Sequence, residues 1–374
     1  MEGLSPAERA RYARHLTLPQ VGEDGQALLM ESRVFCVGAG GLGSPALLYL
    51  AAAGVGHITI IDDDTVERSN LQRQILHSDH DVGSSKAASA RERILALNPS
   101  IEVTIHHERL TSDNARELID GHHIVLDGTD NIPTRYLVND ICEILGIPWV
   151  YGSIFRFEGQ VSIFNLNEGP TYRDLFPVPP PPEAVPSCEE GGVLGVLPGV
   201  VGSIQATEIV KFLLDIGEPL RGKLLVYDAL EMQMRTLTFE KIEGRKPITE
   251  LIDYEGFCGT KKVSTSITEM TPTEYLTKRD GGWNPLLVDV RNDIEASIVT
   301  LPNTDVLIPH ENILIEMERL PKNRDIVFYC RTGGRSMSAA HALSQFGFEK
   351  HRLFNLAGGI HAWHEQIDVA VPKY

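Results

Sequence analysis

Short apolar runs alternate with amphipathic stretches along the first part of the chain. Runs at residues 34–37, 58–61, 101–105 and 124–126 have the length and β-branched content of buried strands. Between and after them, helical spacing covers residues 42–53, 86–97, 114–119 and 133–145. Strand and helix in repetition predict an α/β fold, a mostly parallel sheet with helices on both faces. After Pro148 the rhythm changes to strand-like segments at 149–154 and 159–165. The proline-rich stretch 177–186 cannot be helix or central strand and is expected to run as an extended crossover loop. A helix at 200–214 and strands at 224–227 and 234–239 follow.

Periodicity then fades into Lys-, Glu-, Gly- and Thr-rich sequence. The expected organisation is a first domain over residues 1–245, a linker over 246–265 and a smaller α/β domain over 266–374. The second domain has strand candidates at 286–290 and 326–329, with helices after Pro272 and over 336–346.

Composition narrows the class. The 374 residues are 42% hydrophobic and 23% charged, as in a soluble globular protein. No apolar run approaches the roughly 20 residues of a membrane span, and the polar start of the chain is not signal-like. Five scattered cysteines, Cys36, Cys142, Cys188, Cys258 and Cys330, argue against a disulfide framework and for the cytoplasm. A net charge of −17 argues against general nucleic-acid binding, so any anionic ligand must be held by specific residues.

The sharpest local signal is Cys330, Arg331, Thr332, Gly333, Gly334, Arg335, Ser336, between an apolar run and a helical stretch. A cysteine at a strand-to-helix turn gathers backbone N–H groups and the positive end of a helix dipole, which favour thiolate and can hold an anion. Four residues separate Cys330 from Arg335, and no histidine precedes the cysteine. Phosphatase loops of this shape use a wider ring. The shorter ring resembles the rhodanese sulfurtransferases, whose cysteine carries a persulfide sulfur.

A second loop, Gly38, Ala39, Gly40, Gly41, Leu42, Gly43, follows the first strand and opens the first helix, the G-x-G-x-x-G spacing that lets backbone approach a phosphate. Asp62 ends the next strand, where a carboxylate accepts hydrogen bonds from a ribose. Asn70, Arg73 and Lys86 then supply the amide and cationic wall that a triphosphate tail needs and a nicotinamide does not. Asp130 and Asn131 follow the fourth strand and are candidates to hold Mg²⁺ on the phosphates.

The block from Arg11 to Asp140, with RYARH, GAGGLGS, DDDTVERSNLQRQ, GSSKA and DGTDN, resembles the ubiquitin-activating superfamily, in particular the MoeB and ThiF enzymes that adenylate small sulfur-carrier proteins. Joined to a rhodanese domain, the chain is similar to MoeZ-type fusions and molybdopterin-synthase sulfurylases. The resemblance implies that Gly41 and Asp62 bind ATP, that Asn70, Arg73 and Lys86 contact phosphates, and that Asp130 positions Mg²⁺. It further implies Arg14 as a phosphate contact reaching across a homodimer, and Cys188 as a second cysteine forming a thioester or mixed disulfide. The partners it implies are a ubiquitin-fold carrier ending in Gly-Gly and a sulfur donor, thiosulfate or a cysteine desulfurase, serving molybdopterin, tRNA thiolation or a related pathway.

Two departures stand out. Where many relatives carry paired cysteines for zinc, this chain reads Thr171, Tyr172, Arg173, Asp174 and later only Cys258, so no zinc is expected and ion pairs are expected in its place. Leu301, Pro302, Asn303 and Thr304 replace a usual rhodanese turn, while Asp289, Arg291 and Gly358 to Trp363 fit. The competing readings are activation of a ubiquitin-like protein without sulfur transfer, an NAD-dependent oxidoreductase fused to a phosphatase-like domain, and a non-catalytic scaffold.

Overall fold

The computed structural model describes residues 3–180, 192–258 and 267–374, and the chain divides into two compact units, Met1–Lys261 and Lys262–Tyr374. In the first, eight strands form one sheet: β1 (Arg33–Val37), β2 (His57–Ile61), β3 (Glu102–His106), β4 (Ile124–Asp127), β5 (Trp149–Phe155), β6 (Glu158–Phe164), β7 (Lys223–Asp228) and β8 (Gln233–Thr238). Their order is β3-β2-β1-β4-β5-β6-β7-β8. The first five are parallel, and the last three add antiparallel at one edge. Alternate residues of the parallel strands feed two cores. Val34 and Cys36 of β1, with Ile124 and Leu126 of β4, pack with helices Gly43–Ala53 and Lys86–Leu97. Phe35, Val37 and Val125 point the other way, toward helix Ile132–Leu145.

Against the expectation from the sequence, the helix Leu197–Leu214 is by length and composition long and apolar enough to cross a membrane. Half of it is buried, and it contacts helix Gly43–Ala53 and strands β5 and β6, as a core helix does.

The second unit holds a parallel sheet ordered β11-β10-β12-β13-β9, from β9 (Thr268–Met270), β10 (Leu286–Asp289), β11 (Val306–Leu307), β12 (Ile326–Tyr329) and β13 (Leu353–Leu356). Ile326 and Phe328 of β12 face one core, Val327 and Tyr329 the other. The central strand therefore ends, buried on both faces, at Cys330.

Residues 246–258, the described part of the stretch expected as a linker, pack into the first unit together with Arg245 just before them. Arg245 Nε bonds Asp174 Oδ1 at 2.9 Å and its Nη2 bonds Glu143 Oε1 at 3.1 Å. The Tyr254 hydroxyl donates to Asp140 Oδ2 at 2.8 Å. Arg173 closes the same knot, gripping both oxygens of Asp140 at 2.7 Å while its guanidinium lies over the rings of Tyr136 and Phe257. Positions 171–174 and 258 are thus built from ion pairs, a capping box from Thr171 to Asp174, and a buried thiol. The Asp140 side chain is 1% exposed, so removing its guanidinium leaves a carboxylate out of water and unpaired. Arg173→Ala is expected to destabilise the first unit by about 3 kcal/mol, with Arg173→Lys in between. Urea unfolding checks this, and a loss within error of zero would contradict it.

Candidate active site

The order β2-β1-β4 makes a switch point between β1 and β4, where a doubly wound sheet leaves a crevice at its strand carboxyl ends. The glycine loop sits there because nothing larger fits. A Cβ on Gly43 would lie 2.2 Å from the Gly38 carbonyl oxygen, and one on Gly128 2.6 Å from the same atom. The turns after β1 and β4 are therefore nested backbone on backbone. Asp62 pins this arrangement by accepting from Ala39 N at 2.7 Å and Asp64 N at 2.9 Å, and burial raises its pKa above the ordinary carboxylate value.

A cavity of about 490 Å³ opens over the crevice. Gly38, Gly40, Gly41, Asp62, Arg73, Lys86, Asp130 and Asn131 all line it. Lys86 begins helix Lys86–Leu97 and is 8% exposed; its Nζ bonds Asp64 Oδ2 at 2.7 Å across the mouth. Arg73 donates to the Ser69 carbonyl at 3.3 Å. The donor set suits a nucleotide, with a Cβ-free cradle, a ribose-facing carboxylate, and two cations at the phosphate end.

Other predicted residues stand elsewhere. Gly43 supports the loop from beneath. Asn70 is buried, and its Oδ1 accepts from Glu67 N at 3.4 Å, closing a capping box. The Asn131 side chain caps helix Ile132–Leu145 by accepting from Thr134 N at 3.0 Å, which leaves Asp130 as the exposed carboxylate of the pair. Arg14 is exposed on the short helix Ala13–Leu16 and does not line the cavity. Cys188 lies outside the described residues. Among the described residues, the acidic group able to converge on a cation is Asp62, Asp63 and Asp64.

Three residues of this site have no role assigned from the sequence; of these only Gln74 lies in a quoted motif. His77, buried, bonds the Ala39 carbonyl through Nε2 at 2.9 Å and Ser89 Oγ through Nδ1 at 2.8 Å, tying the glycine loop to the helix that presents Lys86. Gln74 is buried against Gly40 with its Oε1 unpartnered. Arg135, buried in helix Ile132–Leu145, pairs with Asp127 and donates to the Thr129 and Gly152 carbonyls at 2.9 and 3.1 Å, holding the loop that bears Asp130. A buried arginine on an apolar helix face was the one available signal.

In the second unit Cys330 follows β12 directly. Its Sγ accepts from Gly333 N at 3.1 Å and from Ser336 Oγ at 3.5 Å. Ile360 N and His361 N clamp the carbonyls of Cys330 and Arg331 at 3.1 Å each, and a Cβ on Gly359 would strike the Cys330 carbonyl at 2.2 Å. The buried Asp289–Arg291 pair, with Tyr329 donating to Asp289 at 2.8 Å, supports the loop from below. The other described thiols are poor nucleophiles. Burial pushes Cys36 and Cys142 well above the ordinary thiol range and Cys258 up to about 11.

Comparison with known proteins finds a family match for each unit. Residues 12–247 match the ThiF family, and residues 271–366 match the Rhodanese-like domain. The chain belongs to the ThiF family. It is 48% identical over 381 residues to "Probable adenylyltransferase/sulfurtransferase MoeZ" of Mycobacterium tuberculosis, covering 99% of this chain and 96% of that one. It is 41% identical to "Adenylyltransferase and sulfurtransferase MOCS3" of Anopheles gambiae, covering 99% and 90%. A crystal structure of E. coli MccB with ATP shares the fold at a TM-score of 0.56 and 20% identity, covering 65% of this chain and 75% of that one. These matches do not favour the oxidoreductase–phosphatase alternative. They indicate an enzyme that joins adenylyl transfer to sulfur transfer.

His77 gives a pH signature. Burial, with Lys86 nearby, lowers its pKa below the ordinary value, against the Ala39 bond and Asp81. The unfolded chain takes up the proton first, at about 6.5, so the stability held by neutral His77 is present above that pH and is lost as pH falls through the folded value. Melting temperature is expected to drop more steeply for wild type than for His77→Gln below about pH 6.5. Parallel slopes in a pH series of thermal melts would contradict this.

Proposed function

We propose that the chain adenylates the C-terminal Gly-Gly carboxylate of a ubiquitin-fold sulfur-carrier protein and then converts it to a thiocarboxylate with sulfur from a Cys330 persulfide. The observation that carries this reading is the pairing, in one chain, of a cavity large enough for a nucleotide, with Arg73 and Lys86 in its wall, at a sheet switch point and a cysteine whose sulfur accepts from loop donors at the end of a central strand. A carboxylate is a poor electrophile, and its attack on the α-phosphate of ATP with loss of pyrophosphate gives an acyl-AMP with a good leaving group. Gly38, Gly40 and Gly41 offer backbone to the phosphates, Asp62 orients the ribose, and Arg73 and Lys86 meet the charge that develops as pyrophosphate leaves. Asn70 keeps Arg73 in place by closing the turn before it. Asp130, held by the Arg135 network, is the residue that would hold Mg²⁺, whose contribution when bound is to neutralise phosphate charge. Arg14 would reach a second protomer's site in a homodimer.

The loop of Cys330, Arg331, Thr332, Gly333, Gly334, Arg335 and Ser336 stabilises a sulfur anion through Gly333 N–H and the Ser336 hydroxyl. The Cys330 persulfide attacks the acyl-AMP carbonyl and AMP leaves; the Cys188 thiolate then attacks the Cys330 sulfur of the acyl disulfide, so that the thiocarboxylate leaves with the electron pair and a cysteine disulfide remains for an external thiol to reopen, which splits one hard exchange into easier ones. Thiosulfate or a cysteine desulfurase loads Cys330. Molybdopterin synthesis and tRNA thiolation are the pathways such a thiocarboxylate would feed, in the cytoplasm and without zinc.

Arg73→Ala and Lys86→Ala are expected to slow carrier-dependent ATP–pyrophosphate exchange by about 10²-fold or more each. Cys330→Ala should leave exchange intact and abolish the oxygen-to-sulfur mass gain of a Gly-Gly carrier incubated with ATP, Mg²⁺ and a sulfur donor. A carrier that still gains sulfur with Cys330→Ala, or no exchange with any Gly-Gly carrier, would overturn the reading.

A further inference from the structure

The glycine loop of the first unit keeps a space open, and one side chain borders it. In a G-x-G-x-x-G turn the second glycine is where backbone comes closest to a phosphate, because no Cβ stands in the way. That glycine is Gly40, and a Cβ on it would meet Nε2 of Gln74 at 3.6 Å. A Cβ on Gly41 would meet Pro198 at 3.4 Å and the Arg73 stem at 3.7 Å. Neighbours in sequence therefore border neighbouring positions of the loop, Gln74 beside Gly40 and Arg73 beside Gly41. One acceptor sets both, since the Asn70 carbonyl takes Arg73 N and Gln74 N at 3.0 Å each. Gln74 lines the cavity and is 5% exposed. Its Oε1 is buried without a hydrogen-bond partner, so the amide does not tie the loop together as the His77 ring does. A side chain kept here only for its bulk would cost less as methionine or leucine, with no polar group to strand.

We propose that Gln74 is a further nucleotide contact: its side-chain N–H groups donate to a phosphate oxygen in the space over Gly40, as an uncharged donor beside the cations Arg73 and Lys86. This rests on the reading of the cavity as an ATP site. An amide does something there that a third cation would not. Each added cation holds pyrophosphate more tightly after the α-phosphate has been attacked, and so slows its departure. The amide fixes the orientation of the phosphate and adds no charge for pyrophosphate to escape.

The test uses the full chain, with ATP and adenosine as probes in calorimetric titrations. Gln74→Met keeps the length of the side chain and removes the donor. Its Kd for ATP is expected to rise about tenfold, as for a lost hydrogen bond to a charged group, while its Kd for adenosine and its melting temperature stay near those of wild type. The ATP loss should be the same at low and high salt, whereas that of Lys86→Ala shrinks as salt rises. Gln74→Glu supplies a second signature. Its carboxylate repels phosphate when ionised and offers an O–H when protonated, so its ATP Kd relative to wild type is expected to fall between about pH 8 and about pH 6. An ATP Kd in Gln74→Met within about twofold of wild type would overturn the proposal, as would equal losses for ATP and adenosine, the result of an amide that only props the loop. Should Gln74→Met fail to fold, a Gln74→Glu ratio that stays flat with pH would overturn it in the same way. Wild type that binds no ATP would overturn the underlying reading, and this inference with it.

Discussion

Everything at the nucleotide end depends on how closely two turns approach. The turn after β1 and the turn after β4 meet through Gly38 and Gly128, with no room for a Cβ on Gly43 or Gly128. That contact brings Ala39 within reach of two side chains, one on each peptide group: its N–H goes to Asp62 at the end of β2, and its carbonyl to His77. Asp62 in turn receives Asp64 N–H, and Asp64 receives Lys86. His77 reaches the same helix through Ser89. The glycine loop and the lysine are therefore joined by two independent hydrogen-bond routes, and a shift of one turn would move both.

The second unit uses the same economy at Cys330. A central parallel strand delivers the residue to the carboxyl edge of the sheet, where backbone N–H groups are plentiful and side-chain bulk is not. Ile360 and His361 N–H groups fix the carbonyls behind the cysteine, while the Gly333 N–H points at sulfur and the Ser336 hydroxyl is shared between sulfur and the Gly333 carbonyl. In both units the chemistry sits on backbone positioned by strand pairing, and side chains only trim it.

That division explains what the sequence makes legible. Strands such as β1, β2 and β12 are read within a residue, because runs of Val, Ile and Phe buried on both faces leave a plain signature. The motif residues are legible for the same reason that they work: Gly and Asp at fixed offsets from a strand end. β9 and β11 escape because two or three residues cannot show a period, and β13 because Asn355 interrupts its apolar run. The helix Pro6–Arg11 escapes too, although Ser5 and Glu8 spell its capping box. His77 and Arg135 are invisible for a different reason. Their partners are backbone carbonyls at Ala39, Thr129 and Gly152, brought near by topology, and a carbonyl leaves no mark on sequence. The docking of residues 245–258 is hidden likewise, since Lys-, Glu- and Gly-rich composition reads as tether until Asp174, Glu143 and Asp140 are seen to receive it.

A chain carrying a net charge of −17 keeps two cations beside its candidate sites, Lys86 and Arg335, paired with acids. The two pairs are built to different strengths. Lys86 is 8% exposed, but its partner Asp64 is 66% exposed, so an arriving phosphate competes with a carboxylate that water readily takes back. Arg335 is 7% exposed and Glu295 17%, gripped twice, capped by Asn292 and touched by Tyr374. Pulling that carboxylate away strands a desolvated charge, a far costlier step. The depth of the acid, more than the identity of the base, therefore separates a lysine whose partner water can readily take from an arginine held in place by a desolvated carboxylate.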